Sequence, residues 1–254
     1  MSATEPGRIA VVIPALNEER AIRGVVEAVL AICPNVILID DGSTDATLER
    51  VADLPLTLIR HATPLGKGQG LRDGFRKARD LGFDAVIAMD GDGQHLAADI
   101  PRLLAAARRY PEHIVIGARV RNRENQPPAR RRANNFADWG ISWGCGLPVV
   151  DTQSGQRYYP LGALELVDLA ADDFVFEAAL LIAAAREKNV GIVSVPIESR
   201  YQGEFRASHF RPVRDVTRIT LYTVGRVVHY GDVVRSYRRS HSTPALLYDP
   251  PTHK

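Results

Sequence analysis

The feature that most constrains the fold is a regular alternation of short apolar runs with helical patterns between Arg8 and about Gly117. The runs RIAVVIP, NVILID, LTLIR, DAVIAMD and HIVIGA are nearly continuous in apolar residues, which is typical of strands buried on both faces of a sheet. Helical periodicity fills the intervals Glu18–Ile32, Asp45–Ala52, Gly68–Leu81 and Ala98–Tyr110. The pattern predicts a doubly wound α/β fold, with a mostly parallel, Rossmann-like sheet and helices on both faces.

The second half of the chain is less regular. A basic loop, Arg119–Arg132, precedes predicted helices at Asn134–Gly144 and Asp173–Lys188, the segment DTQSGQRYY between them, and a strand VGIVSVPI. A basic amphipathic helix over about Val213–Tyr237 and a polar, Pro-containing tail follow. We therefore expect one domain over residues 1–210, followed by a helix and a loose tail over residues 211–254.

Composition limits the class of protein. The 254 residues suit one α/β domain with an appendage, and Cys33 and Cys145 form neither a disulfide framework nor a C-x-x-C pair. No signal-peptide pattern and no stretch of ~18 uncharged apolar residues is present, so we expect a cytoplasmic protein that does not itself cross a membrane. The net charge is only +2, but Arg119–Arg132 holds six Arg against one Glu, a composition that attracts phosphates or anionic lipid.

Polar clusters follow the first four predicted strands, and in a parallel sheet these strand ends share one edge. They are Pro14–Glu18, Asp40–Asp45, Gly66–Gly70 and Asp90–Gln94. A carboxylate at such a strand end can accept hydrogen bonds from a nucleotide base or ribose, although a turn with solvated acids has the same sequence. The segment IPALNEE lacks the glycine fingerprint of dinucleotide oxidoreductases, which disfavours that class.

Two further motifs concern charge. PLGKGQG does not match a phosphate-binding P-loop, so Lys67 lies either in a surface connection or in a loop that approaches the nucleotide. In MDGDGQH a calcium loop is excluded, because its sixth and twelfth positions hold His95 and Pro101. Asp90 and Asp92 lie two residues apart on an Asp-Gly turn, where they can share a hard cation such as Mg²⁺ or Mn²⁺.

The segments VVIPALNEE, LIDDGSTD, GKGQG, MDGDGQH, DTQSGQR and RYQGEFR occur in the order and spacing of family 2 glycosyltransferases with a GT-A fold. Between Arg8 and Phe210 the chain resembles the branch that includes dolichyl-phosphate mannose synthase and bacterial polyprenyl-phosphate glycosyltransferases. Two departures are Arg206, where the family usually has Lys, and the lack of the transmembrane tail found in many bacterial relatives.

The resemblance implies roles for individual positions. Pro14, Glu18 and Asp41 match nucleotide-binding residues, and we add the neighbouring strand-end residues Leu16, Asp40, Lys67 and Gly91 to the predicted nucleotide site. The predicted metal ligands are Asp90, Asp92 and Gln94, and Asp92 is also assigned a catalytic role. Basic residues that match contacts to the donor diphosphate and the acceptor phosphate are Arg119, Arg200 and Arg206; from the basic loop we add Arg131.

Sugar transfer places negative charge on the departing nucleoside diphosphate, which a divalent cation and Arg side chains stabilise. An acceptor phosphate is already ionised, whereas an acceptor hydroxyl needs a base, for which Asp151 is the first candidate and Glu177 the second. We predict a metal-dependent, inverting transferase that moves a sugar from a nucleotide-sugar donor to a polyprenyl phosphate or another membrane-associated acceptor. A hydroxyl acceptor and a non-catalytic sugar-nucleotide-binding protein are the alternatives; nucleic acid is disfavoured because no binding motif accompanies the basic segments.

The C-terminal helix has an apolar stripe flanked by Arg residues. This pattern fits a helix lying on an anionic bilayer, as in a peripheral protein on the inner face of a membrane. It fits equally well a helix that packs on its own domain or on a partner subunit. Trp139 and Trp143, four residues apart on one predicted helix, are expected in the core.

Overall fold

The computed structural model describes residues 8–121, 128–171, 173–198 and 212–251. Within these ranges seven strands form one sheet in the order β3-β2-β1-β4-β6-β5-β7. All neighbouring strands pair in parallel except β6, which runs antiparallel to β4 and β5. The strands are β1 (Ile9–Ala15), β2 (Val36–Asp40), β3 (Thr57–Arg60), β4 (Ala85–Ala88), β5 (His113–Ala118), β6 (Arg157–Pro160) and β7 (Gly191–Pro196). The strand order changes direction between β1 and β4, so their carboxyl ends mark the expected ligand-binding edge.

Helices cover both faces of the sheet, and the predicted fold class is confirmed. In β1, Ala10 and Val12 join one buried cluster while Val11 and Ile13 join the other, because successive strand residues point to opposite faces. The first face packs against α2 and α6, and the second against α1 and α3. The helices are α1 (Ile22–Leu30), α2 (Lys67–Asp80), α3 (Ile100–Arg109), α4 (Pro128–Cys145), α5 (Leu161–Leu164), α6 (Asp173–Glu187), α7 (Pro212–Tyr230) and α8 (Val233–Ser242).

Two local predictions differ from the structure. The helix expected over Asp45–Ala52 is reduced to one 3₁₀ turn, Glu49–Val51. Side chains from the loop after β1 accept hydrogen bonds from backbone amides of this segment, and this local bonding competes with a helix. The segment DTQSGQRYY contains strand β6, which periodicity did not reveal because the strand is only four residues long and its partners are distant in sequence.

The C-terminal segment packs on the rest of the chain. The single helix expected over Val213–Tyr237 is interrupted at Gly231, whose φ of 71° ends α7 before α8 begins. Helix α7 packs against α4 and α6, and α8 packs against α4. The predicted boundary at residue 210 lies outside the described residues. No helix in the described ranges has both the length and the apolar character needed to cross a bilayer.

Residues 246–249, in the tail that was expected to be loose, are attached to the sheet. Leu246 accepts a hydrogen bond from the backbone amide of Ser194 in β7, and the amide of Tyr248 donates to the carbonyl of Ser194. Asp249 accepts hydrogen bonds from Arg102 (2.6 Å) and Arg121 (2.9 Å). Residues 246–249 therefore extend the edge of the sheet at β7. A polar, Pro-containing sequence has no pattern from which this long-range pairing could be predicted.

Candidate active site

The loops after β1 and β2 hold each other in place at the carboxyl edge of the sheet. The amide of Asn17 donates to Ser43 Oγ (2.8 Å), and Asn17 Oδ1 accepts from the amide of Thr44 (2.7 Å). The amide of Glu18 donates to Thr47 Oγ1 at 2.7 Å. The predicted nucleotide-binding residues Pro14, Leu16 and Glu18 all lie here, partly exposed. These hydrogen bonds between the two loops hold the backbone of the predicted nucleotide site in place.

The two adjacent acids at the end of β2 have different surroundings. The Asp41 carboxylate already accepts three hydrogen bonds within the chain. They come from His61 Nδ1 (2.7 Å) and from the amides of Leu65 (2.8 Å) and Gly66 (2.9 Å). Asp40 is fully buried, and its Oδ2 accepts no hydrogen bond in the described structure, although Arg60 Nε lies 3.5 Å from it as an ion-pair partner. Buried carboxylate oxygens are normally satisfied, so Asp40 has capacity for an added donor that Asp41 lacks.

Asp90 lies at the turn after β4, where Lys67 from the start of α2 reaches it. Lys67 Nζ is 2.7 Å from Asp90 Oδ1 and 3.2 Å from Glu177 Oε2 on α6. Burial by itself raises the pKa of Asp90, but the ammonium group of Lys67 outweighs it and the pKa falls to about 2. The same two carboxylates raise the pKa of Lys67 despite its burial. Asp90 and Lys67 are therefore both ionised at neutral pH.

The turn also carries Asp92 and Gln94. Asp92 Oδ1 accepts a hydrogen bond from the amide of Gln94 (3.0 Å), and Asp92 Oδ2 lies 2.8 Å from the Gln94 side-chain amide nitrogen. The predicted metal-binding trio is thus brought to one short turn. Its carboxylate and amide oxygens are of the type that Mg²⁺ and Mn²⁺ prefer. Within the described ranges no cluster of three or more His, Cys, Asp or Glu side chains is placed to hold a metal.

Two glycines allow the elements around Asp90 to approach closely. Gly91 is buried, and a Cβ there would lie 3.3 Å from the carbonyl oxygen of Pro14. Gly155, in the loop before β6, lies against the Asp90 carboxylate, since a Cβ at Gly155 would be 2.1 Å from Asp90 Oδ2. Gln156 Nε2 donates to the Leu96 carbonyl at 2.9 Å and ties the same loop to the β4 turn. Segment DTQSGQR therefore forms a wall of the site.

Arg119 and Asp151 form a buried pair. The Arg119 amide and Nε donate to Asp151 Oδ2 (2.7 and 2.8 Å), and Nη2 donates to Oδ1 (2.7 Å). Burial raises the pKa of Asp151, but the hydrogen bonds and charge of Arg119 outweigh it and hold the pKa below its usual value. The Asp151 backbone has a positive φ of 54°, and its amide donates to Asp138 on α4. A carboxylate held in this way is a weak proton acceptor, which argues against the predicted role of Asp151 as a base.

His95 connects the two halves of the site. Its ring is buried, with Nε2 3.9 Å from Asp90 Oδ2, and Nδ1 has no hydrogen-bond partner among the described residues. Burial lowers the pKa of His95 to about 4, and its titration also feels the charges of Asp90, Arg119, Asp151 and Lys67. The histidine is therefore neutral at physiological pH, and it lies near both the predicted metal-binding turn and the Arg119–Asp151 pair.

The other predicted residues lie at different positions. Glu177 faces Lys67, and its Oε1 lies 3.8 Å from the buried Arg157 guanidinium. Arg131 is exposed in the first turn of α4. Arg200 and Arg206 lie outside the described residues. Sequence reasoning assigned no role to His61, His95, Gly155 or Arg157, although His95, Gly155 and Arg157 lie inside quoted motifs and so were marked by position.

Comparisons with known proteins agree on one family. The model of the family described as glycosyl transferase family 2 matches residues 10–161. A UDP-N-acetylglucosamine–dolichyl-phosphate N-acetylglucosaminyltransferase from Methanococcus voltae is 29% identical, covering 76% of this chain and 86% of its own length. An undecaprenyl-phosphate mannosyltransferase from Micrococcus luteus is 30% identical, covering 79% and 88%. A polyprenol monophosphomannose synthase from Mycolicibacterium smegmatis is 28% identical, covering 75% and 76%.

Among solved structures, the fold is similar to that of glucosyl-3-phosphoglycerate synthase from Mycobacterium tuberculosis in complex with Mn²⁺, uridine-diphosphate-glucose and phosphoglyceric acid. The TM-score is 0.64 at 21% identity, with 92% of this chain and 81% of that chain covered. At this identity the likeness concerns the GT-A architecture.

Proposed function

Because the chain belongs to glycosyl transferase family 2, we propose that it transfers a sugar, with inversion, from a nucleotide-sugar donor to a polyprenyl phosphate. The three relatives described above are named for dolichyl, undecaprenyl and polyprenol phosphate chemistry. The resemblance in motif order between Arg8 and Phe210 supports the same reaction class.

The observation that carries the choice of acceptor is the state of the carboxylates in the site. Asp90 and Asp151 each lie beside a cation of the chain itself, which lowers the pKa of both carboxyl groups, whereas an effective general base would require a raised pKa. A phosphate acceptor is already ionised and needs no base, so this arrangement suits a phosphate better than a hydroxyl. The pairs are Asp90 with Lys67, Asp151 with Arg119, and Glu177 with Lys67 and Arg157.

The roles of the residues follow from their positions. Asp40 accepts a hydrogen bond from the base or ribose through Oδ2, which accepts no hydrogen bond within the described chain and has only a 3.5 Å ion-pair contact with Arg60 Nε. A divalent cation would be held by Asp90, Asp92 and Gln94, and when bound it neutralises charge on the departing diphosphate. Asp151 acts as a positioning residue, because it fixes the Arg119 backbone and guanidinium beside the predicted phosphate site. Arg131, Arg200 and Arg206 are proposed as further phosphate contacts.

The test is transfer of labelled sugar into extracted polyprenyl phosphate, measured with a panel of nucleotide sugars and with Mg²⁺ or Mn²⁺. We expect Asp92→Ala to reduce kcat/KM by at least about a hundredfold, because the charge of the leaving group loses its stabilisation. Asp53→Ala is the matched control, since Asp53 is an exposed acid that pairs with Arg23 and is not among the predicted site residues. Unchanged metal-dependent turnover in Asp92→Ala would contradict the proposal, and transfer only to hydroxyl acceptors would replace the phosphate with a hydroxyl.

We also propose that the protein acts at the inner face of a membrane, bound through α7 and α8. Leu221 and Val228 on α7 are 68% and 63% exposed, and Val234 on α8 is 62% exposed. Helix α8 contains three Arg residues and no acid. An apolar surface with neighbouring Arg side chains suits a bilayer that contains anionic lipid.

Vesicle sedimentation tests this location. We expect binding to anionic vesicles that weakens as salt is added, and that falls in Leu221→Asp and Val228→Asp. Leu58→Asp, at an exposed position on the edge strand β3, is the control for an added charge. Binding that is equal in all variants would exclude this surface.

A further inference from the structure

An apolar groove runs between α4 and α7, outside the predicted nucleotide and metal sites. The empty space in it amounts to about 450 Å³, a volume that includes open solvent and is not an enclosed cavity. Apolar and aromatic side chains line it, among them Phe136, Trp139 and Trp143 from α4 and Val216 and Val224 from α7. Phe136 and Trp139 are half exposed, although the Trp139 ring also contacts Tyr237 and His241 of α8. The expectation that Trp139 lies in the core is therefore not met.

The groove is wedge-shaped because two glycines on one face of α4 have different surroundings. At Gly144 the helices touch, and a Cβ there would lie 3.0 Å from Thr223 Cγ2 on α7. At Gly140, one turn earlier, a Cβ would meet no atom within 4 Å. The groove is thus narrow beside Gly144 and opens toward the first turns of α4, which carry Arg131.

One side of the groove adjoins the proposed acceptor-phosphate site. Gln153, from the loop before β6, lines the groove. Two residues earlier in this loop, Asp151 holds Arg119, while Asp138 on α4 accepts hydrogen bonds from the amides of Asp151 (3.0 Å) and Thr152 (2.7 Å). Helix α4 therefore fixes the groove and the Arg119 pair relative to each other. A ligand with an anionic head group and an apolar chain matches this arrangement, with the head group beside Arg119 and the chain in the groove.

We infer that the α4–α7 groove binds the isoprenoid chain of the lipid phosphate acceptor, next to its phosphate. This inference rests on the proposed function and adds to it a site for the apolar part of the substrate. The apolar lining provides the free energy of burial, and the position of Gln153 directs the phosphate end toward Arg119. The exposed rings of Phe136 and Trp139 then lie where the remainder of the chain leaves the protein.

Intrinsic fluorescence reports on this groove directly, because Trp139 and Trp143 are the two tryptophans of the chain and both line it. We expect farnesyl phosphate to change the emission of the wild-type protein with saturation, and inorganic phosphate to leave it unchanged. Gly140→Leu places a side chain in the open part of the groove without a backbone clash, and we expect it to weaken farnesyl phosphate binding about tenfold or more. Gly24→Leu is the control, since a Cβ at this glycine of α1 also meets no atom within 4 Å.

The outcomes separate the two proposals. If the wild type transfers sugar to polyprenyl phosphate and Gly140→Leu does so with an unchanged KM, the groove is not the chain site and the proposed function stands. If the wild type binds farnesyl phosphate through the groove but transfers to no polyprenyl phosphate, the proposed function fails. A Gly140→Leu protein that keeps its nucleotide binding and thermal stability while its acceptor KM rises supports the inference.

Discussion

Gly155→Ala tests the architecture of the site without altering a proposed ligand. Gly155 has no positive φ, so alanine fits its backbone conformation and the perturbation is purely steric. The added Cβ would lie 2.1 Å from Asp90 Oδ2, whereas ordinary contacts begin at 3.4 Å, so the two must separate by about 1.3 Å. Because Asp90 is a short side chain that is 2.7 Å from Lys67, this movement also breaks or rotates the ion pair.

The expected magnitude follows from this displacement. A misplacement of ~1 Å in a catalytic arrangement costs about a hundredfold in rate, which corresponds to roughly 2.7 kcal/mol of transition-state stabilisation. Overpacking costs about 1–3 kcal/mol of folding stability, and here the crowded atom is the end of a side chain, so we expect the lower part of that range. The variant should therefore remain folded and lose most of its activity.

The assay combines steady-state sugar transfer with calorimetric titration of Mn²⁺ and with thermal unfolding. We expect kcat/KM to fall about a hundredfold and Mn²⁺ affinity to weaken, with little change in the unfolding midpoint. Gly24→Ala serves as the control, because its Cβ is in open space on α1 and the helix gains up to about 1 kcal/mol. If folded Gly155→Ala retains activity within about twofold of the wild type, the contact between the loop before β6 and Asp90 does not position the reacting groups.

Two other predictions concern buried acids. Asp151→Asn leaves Arg119 buried without its carboxylate, so the free energy of unfolding should fall by about 3–5 kcal/mol in chemical denaturation; loss of transfer with full stability would instead support a base role. Burial raises the pKa of Asp99 to about 6, with Arg102 and Arg121 opposing it, so the folded state favours the protonated form. The protonated Asp99 therefore stabilises the folded state fully below about pH 4. This contribution to the free energy of unfolding, up to about 3 kcal/mol, is lost as the pH rises through 6. Asp99→Asn should therefore unfold at a higher temperature than the wild type at pH 7.5 and at a similar temperature at pH 4; a difference that does not vary with pH would refute this.

The sequence was sufficient for features that depend on local pattern. Continuous apolar runs separated by helical periodicity predicted the parallel core of the sheet, since a strand covered on both faces must be apolar throughout. The same regularity brought Pro14, Asp40, Lys67 and Asp90 to one edge, because parallel strands end on the same side. The motif order further identified the family, and the family model agrees.

The sequence was not sufficient where a residue's partner is distant along the chain. Asp40 and Asp41 are neighbours of the same type, yet only Asp41 is bound by His61 and the loop before α2. From the sequence, Asp151 was a candidate base. Its hydrogen bonds with Arg119, 32 residues earlier, make it instead the buried partner of a cation. Such roles depend on which groups the fold brings within hydrogen-bond distance, and no periodicity encodes that.

Local pattern thus determined the layers of the sheet, the edge that carries the polar residues and the acidic turn after β4. The tertiary structure alone decided the antiparallel insertion of β6, the approach of Gly155 to Asp90, and the open groove between α4 and α7. The physical reason is that burial periodicity is a property of consecutive residues. Ion pairs, close glycine contacts and grooves are instead properties of surfaces that meet only after the chain has folded.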